Sequence, residues 1–189
     1  MVERIPAHGC RMEHWRYNVH CMPNESEPPP SVVGGEATPR KLTTQQIGRL
    51  GELLVQYELL RYGIESAPMT TDTGVDLVAY SANRRRSFTI QVKTNLAPKP
   101  GGGKGAPAND WWVSEDCPAE IYAFADVSTR RVWLLNKQEL ASKAQQRSSG
   151  RLHFYMCPNP DEQSLAYTRH RDELFSAFLF ENRVSFLFQ

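Results

Sequence analysis

Two short alternating runs and the link between them constrain this chain more than any other feature. VDLVAY (75–80) and SFTIQVK (87–93) place apolar residues at every second position, the period of a strand with one buried face. The link between them, SANRRR (81–86), is short and polar, so the pair predicts an antiparallel hairpin. If that hairpin is symmetric about Asn83 and Arg84, Tyr80 pairs with Ser87, and counting back sets Asp76 opposite Gln91. Opposed residues bring their Cβ atoms to about 5 Å, and Lys93 is then the diagonal neighbour of Asp76 at roughly 7–8 Å. One strand face therefore carries Asp76, Gln91 and Lys93 together, although lysine is a poor strand residue.

A helix precedes the hairpin. Thr43 or Thr44 can cap it, it runs to Tyr62, and Gly63 is its C-terminal stop. Ile47, Leu50, Leu54 and Tyr57 form one apolar stripe at helical spacing. Gly48, Gly51, Val55, Leu59 and Tyr62 form a second, small and apolar face with a single acid, Glu52, in its middle. The two glycines would let this face approach a sheet closely. Further strand-like runs follow at 64–68, 111–113, 121–127, 131–136 and 151–155, with a short helix at 137–143 and a final helix at 171–180. Helix, mixed or antiparallel sheet and helix together predict one α/β or α+β domain over residues 42–182, followed by a tail at 183–189.

Residues 1–41 differ in character. The stretch PNESEPPPSVVGGEATPRK has little to bury and reads as a disordered extension or linker. His8, Cys10, His14, His20 and Cys21 before it are zinc ligand types, but they lack the spacing of a zinc site. The net charge is +1, so any nucleic-acid surface must be local rather than spread over the whole chain. No apolar run approaches a membrane span, and the first twenty residues contain no apolar signal core. The irregularly spaced cysteines then read as reduced thiols in a cytoplasmic protein.

A carboxylate, an amide carbonyl and a second carboxylate are hard oxygen donors, suited to Mg²⁺ or Mn²⁺ carrying waters and a phosphate oxygen. A lysine beside them can orient or deprotonate an attacking water. This is equipment for metal-assisted phosphodiester hydrolysis. Glu52, then Gly74-Val75-Asp76, then Gln91-Val92-Lys93 resembles the PD-(D/E)xK nuclease superfamily, in the branch whose strand reads QxK, as in Mrr-like enzymes and the PD(D/E)xK endonucleases. The strings GRLGELLVQYELLRYG, GVDLVAY, IQVKTN and IYAFADVSTRRVWLLNKQELAS carry the resemblance in order, over about residues 44–143.

That resemblance implies a restriction-endonuclease-like α/β/α core with a central mixed sheet flanked by helices. It implies a metal-dependent endodeoxyribonuclease, with DNA as partner and Mg²⁺ or Mn²⁺ as cofactor. Asp76 would be the main metal ligand and Gln91 the second through its side-chain carbonyl, with help from the Val92 backbone carbonyl. Lys93 would be the catalytic lysine, and Glu52 the helix-borne acid that completes the site. Gln91 is neutral where the superfamily usually has an acid, which weakens the hold on a metal. Val75 stands where the superfamily has its leading proline. The alternative is a nuclease-fold module that binds nucleic acid without cutting it. Cutting both strands of a duplex would call for a homodimer.

The flanks offer paired readings. Arg84 and Arg85 at the hairpin tip contact phosphates or simply solvate the turn. Thr94 and Asn95 hydrogen-bond a phosphate or simply end the strand. Lys99 and Lys104, in the stretch PKPGGGKGAP (98–107), approach nucleic acid or lie on a surface linker. Trp111 and Trp112 are candidates for stacking on bases, but neighbours in a strand face opposite ways, so at least one belongs to the core. Cys117 and Cys157 read as packing or surface thiols.

Overall fold

Thr43 opens the first helix with a capping box. Its side chain accepts the Gln46 N–H at 3.2 Å, and the Gln46 side chain accepts the Thr43 N–H at 2.9 Å. The computed structural model describes residues 40–71, 73–100, 107–157 and 172–189. The N-terminal extension with its His/Cys cluster, and Lys104, lie outside the described residues.

In chain order the elements are α1 (Thr44–Arg61), β1 (Glu65–Pro68), β2 (Leu77–Ser81), β3 (Arg86–Asn95), β4 (Lys99–Pro100), β5 (Pro107–Ser114) and β6 (Ile121–Asp126). They continue with β7 (Arg131–Asn136), α2 (Lys137–Lys143), β8 (Gln146–Ser148), β9 (Arg151–Met156), a 3₁₀ helix (Asp172–Phe178) and α3 (Phe180–Phe188). The main sheet has the order β1-β2-β3-β6-β7, and a second sheet has the order β4-β5-β9-β8. In the main sheet, β3 and β6 run parallel and the other pairs are antiparallel. The chain leaves β3 through β4 and β5 before it returns as β6, which supplies the long crossover a parallel pair needs. The β2–β3 register is the one the hairpin count predicts, with Tyr80 opposite Ser87 and the ladder running back to Leu77 opposite Ile90.

Helices lie on both faces of the mixed sheet. Phe88, Ile90 and Val92 of β3 pack with Val55 and Leu59 of α1 and with Val184, Leu187 and Phe188 of α3. On the opposite face, Tyr122, Phe124, Trp133 and Leu135 pack against Trp111, Val113, Leu152, Phe154 and Met156 of the second sheet. Leu140 of α2 and Phe175 and Phe178 of the 3₁₀ helix close that layer. Of the two faces available on α1, the buried one is Gly51-Val55-Leu59, while Tyr57 of the other stripe is 60% exposed. Gly51 decides this choice. A Cβ added there would stand 1.8 Å from Thr94 Oγ1, whereas one added at Gly48 would meet nothing within 4 Å.

The C-terminus departs from the sequence reading. The helix expected at 171–180 is a 3₁₀ helix, and the expected tail at 183–189 lies mostly in α3. Val184, Leu187 and Phe188 recur at helical spacing and are buried, and each such burial contributes about 1.5–3 kcal/mol. Arg183 secures this helix from the side, donating to both carboxylate oxygens of Glu139 in α2 at 2.7 and 2.8 Å. No helix among the described residues is long and apolar enough to cross a membrane.

Candidate active site

β2 begins at Leu77, and Asp76 stands just before it. The backbone N–H of Asp76 donates to the Ile90 carbonyl at 2.9 Å, and its carbonyl accepts from Met69 at 2.8 Å. Its side-chain Oδ2 accepts the Val92 N–H at 2.6 Å. The ladder pair predicted between Asp76 and Gln91 therefore does not form. A carboxylate takes the Val92 amide where the pairing ends. The neighbours show why. Val75 belongs to the core beneath the second sheet and Leu77 to the core beneath α1. Residues two apart in a regular strand share a face, so the chain must turn at Asp76. Val92 contributes its amide to this contact.

The approach to Asp76 is fixed from behind. Gly74 has φ +80, and an added Cβ would lie 3.1 Å from Pro118 Cδ. Its carbonyl accepts the Cys117 thiol at 3.0 Å. The Cys117 carbonyl in turn accepts the Tyr122 hydroxyl and the Lys137 ammonium, each at 3.2 Å. Burial pushes the Tyr122 phenol well above its ordinary value, and its hydrogen bond to Cys117 adds to the shift. The supporting role of Cys117 was not legible in the sequence; the one available sign was a glycine directly before Val75-Asp76.

Gln91 and Lys93 alternate with Ile90 and Val92, so they project from the face of β3 opposite α1. They lie beside Tyr122 and Phe124 of β6 in the parallel register. Gln91 is 7% exposed, and its side-chain Oε1 is buried without a hydrogen-bond partner among the described residues. Lys93 is half-buried. An unsatisfied buried oxygen costs about 1–3 kcal/mol, so a native protein rarely keeps one without reason. One residue away in β3, the Val92 amide holds the Asp76 carboxylate.

A carboxylate oxygen and an amide oxygen are donor types that a hard divalent cation takes. Glu52 is placed differently. It follows Gly51 on the helix that covers the other face of β3, and its carboxylate accepts from Arg49 at 2.7 Å. Among the described residues, no group of three or more His, Cys, Asp or Glu side chains is arranged to hold a metal. The structure thus sets Gln91 and Lys93 on one face of β3, ties the Asp76 carboxylate to the amide of Val92 between them in sequence, and places Glu52 on the helix that covers the opposite face.

The flanking candidates separate as well. The Thr94 hydroxyl is buried beneath α1 against Gly51 and, like the Gln91 oxygen, has no hydrogen-bond partner among the described residues. Asn95 donates to the Asp110 carbonyl at 3.1 Å and so ties the end of β3 to β5. Arg84 and Arg85 lie at the far end of β3, which Arg86 begins, and Arg86 is about 23 Å from Lys93 at strand rise. The Arg84 guanidinium donates to the Phe186 carbonyl at 2.8 Å, and Arg85 occupies the turn with φ 52. Lys99 is exposed in β4. Trp111 is core, stacked on Phe124 with centroids 4.9 Å apart, and Trp112 is on the outer face. Cys117 and Cys157 are both buried.

Comparison with protein families and with curated proteins finds no match. Comparison with solved structures finds a similarity to a bacterial homing endonuclease, I-Ssp6803I, with 12% sequence identity and a TM-score of 0.45. It covers 65% of this chain and 83% of that one.

Proposed function

We propose that this chain is a divalent-metal-dependent endonuclease that hydrolyses phosphodiester bonds in DNA. The observation that carries the reading is the buried oxygen of Gln91, which has no hydrogen-bond partner among the described residues, on the strand face that carries Lys93 and next in sequence to Val92, whose amide holds the Asp76 carboxylate. Asp76 and Gln91 would hold Mg²⁺ or Mn²⁺, with Glu52 joining from α1 once released from Arg49. An ion bound there supplies charge stabilisation for the phosphorane and the leaving oxygen. Lys93 orients the attacking water, takes part in its deprotonation and offsets phosphate charge. The Val92 amide keeps the Asp76 carboxylate in place, and the Cys117 thiol keeps the loop that carries it.

A second reading has its own support. Glu52 is engaged by Arg49 and Gln91 brings no charge, and among the described residues the acidic side chains form no cluster of three arranged to hold a metal. A nuclease-fold module that binds nucleic acid without cutting it would look the same. Incubating the purified protein with plasmid and Mg²⁺ or Mn²⁺ separates the two. The enzyme reading expects nicking or linearisation that Lys93→Ala abolishes while the fold is retained. Binding by both proteins with cutting by neither under either metal would leave the module.

A further inference from the structure

We infer that Trp112 is a stacking platform for an unpaired nucleotide next to the candidate active site. The inference rests on the nucleic-acid reading above and names the form of substrate that the site accepts.

β5 alternates between the two sides of the second sheet. Trp111 and Val113 enter the core, while Asp110 and Trp112 lie on the outer side. Across the ladder, Trp112 opposes His153 of β9, and their rings stack 4.1 Å apart at 5°. His153 is itself fixed in place. Its Nε2 meets Asp110 Oδ1 at 2.5 Å, its Nδ1 meets Gln146 Oε1 at 3.2 Å, and Tyr155 packs edge-on at 5.7 Å. One face of the indole therefore rests on a rigid backing.

The other face is directed towards the edge of β5 away from β9. Among the described residues no strand pairs with that edge over Asn109–Ser114, since β4 pairs only with Pro107 and Ala108. Asn95 docks on this edge, donating to the Asp110 carbonyl. Lys93 precedes Asn95 by two residues on the same strand face, about 7 Å away. The strand that carries Trp112 is thus tied, two residues before the indole, to the end of β3 that carries the candidate lysine.

Charge favours a polyanionic occupant. The Arg151 guanidinium lies 5.8 Å from the Trp112 ring centroid, Lys99 is exposed on β4, and the Asp110 carboxylate is occupied by His153. A half-exposed, rigidly backed indole beside an arginine suits a nucleobase, whose π-face any sequence presents. Bases inside a duplex have no free face to offer, so the occupant is an unpaired strand.

The test measures binding without cleavage, on the full chain carrying Lys93→Ala and in EDTA. Fluorescence anisotropy is read with a labelled single-stranded oligodeoxynucleotide and, separately, with its duplex. Trp112→Ala and Trp112→Leu should each weaken single-strand binding by about 5- to 100-fold, with duplex binding changed less than about two-fold. Trp112→Phe should restore most of the affinity, and single-strand binding should quench tryptophan emission in the Trp112 protein but much less in the Phe variant. Unchanged single-strand affinity in Trp112→Leu overturns the inference, and so does an equal loss on both probes. If Trp112→Ala fails to fold, Trp112→Leu and Trp112→Phe decide the matter. If the Trp112 protein binds neither probe, the nucleic-acid reading falls too. If it binds both and ignores Trp112, only the stacking role is lost.

Discussion

Adding one methyl group at Gly51 should separate α1 from the sheet. The new Cβ would lie 1.8 Å from Thr94 Oγ1, 2.7 Å from Cγ2 and 2.8 Å from Cβ, where ordinary contact begins at 3.4 Å. Rotating Thr94 about χ1 moves the first two atoms but not its Cβ, which is fixed to the backbone. The shortfall at Cβ is 3.4 − 2.8 = 0.6 Å, so helix and strand must part by about that much. A gap of about 0.5–1 Å forfeits a quarter to a half of the dispersion well, and Val55 and Leu59 feel it directly. With strain at Thr94, the expected loss is about 2–3 kcal/mol, against which the better helix propensity of alanine returns about 1 kcal/mol. The net loss of about 1–2 kcal/mol corresponds to a Tm lower by about 2–8 °C for a domain of this size.

Gly48→Ala is the internal control. It meets nothing within 4 Å and should stabilise by about 0.5–1 kcal/mol. Thr94→Ala in the Gly51→Ala background should recover part of the loss, because it removes two of the three close contacts. Chemical and thermal denaturation read all four proteins. A Gly51→Ala protein as stable as the parent, or a Gly48→Ala protein equally damaged, would refute the close-packing argument.

Asp76→Asn keeps an acceptor for the Val92 N–H and should change stability by less than about 1 kcal/mol, while Asp76→Ala should lose about 1–3 kcal/mol; denaturant titration distinguishes them, and both should abolish plasmid cleavage. Tyr122 has its phenol pushed up on folding, so its contribution is complete below the unfolded value of about 10 and is lost as pH rises above that. Unfolding midpoints should therefore fall more steeply above about pH 10 in the parent than in Tyr122→Phe, which itself should cost about 1 kcal/mol at neutral pH for the bond to Cys117.

The parts legible from sequence are those with a period and a boundary. The hairpin register followed from alternation plus the length of SANRRR, and α1 from its threonine cap and the glycine after it. What stayed hidden has physical reasons. Both faces of α1 are apolar, so the choice between them rested on one close approach, Gly51 to Thr94, that no periodicity displays. α3 follows Leu179, an N-cap with no side-chain hydrogen bond, so the sequence carries no start signal there. β4 and β8 are two and three residues long, too short to show a period. Counting along the hairpin brought Asp76 next to β3 but made it a ladder partner of Gln91. The turn that hands its carboxylate to Val92 depends on Gly74, Cys117 and Pro118, which only the fold brings together.

The central claim is that the buried oxygen of Gln91 is a metal ligand. Mn²⁺ binding, followed by electron paramagnetic resonance or calorimetry on the full chain, tests it without requiring any cleavage. Binding should be present in the parent, tighter in Gln91→Glu, where an anionic oxygen replaces a neutral one, and lost in Gln91→Leu with the fold intact. Equal Mn²⁺ affinity in the parent and Gln91→Leu, or no increase in Gln91→Glu, would contradict it.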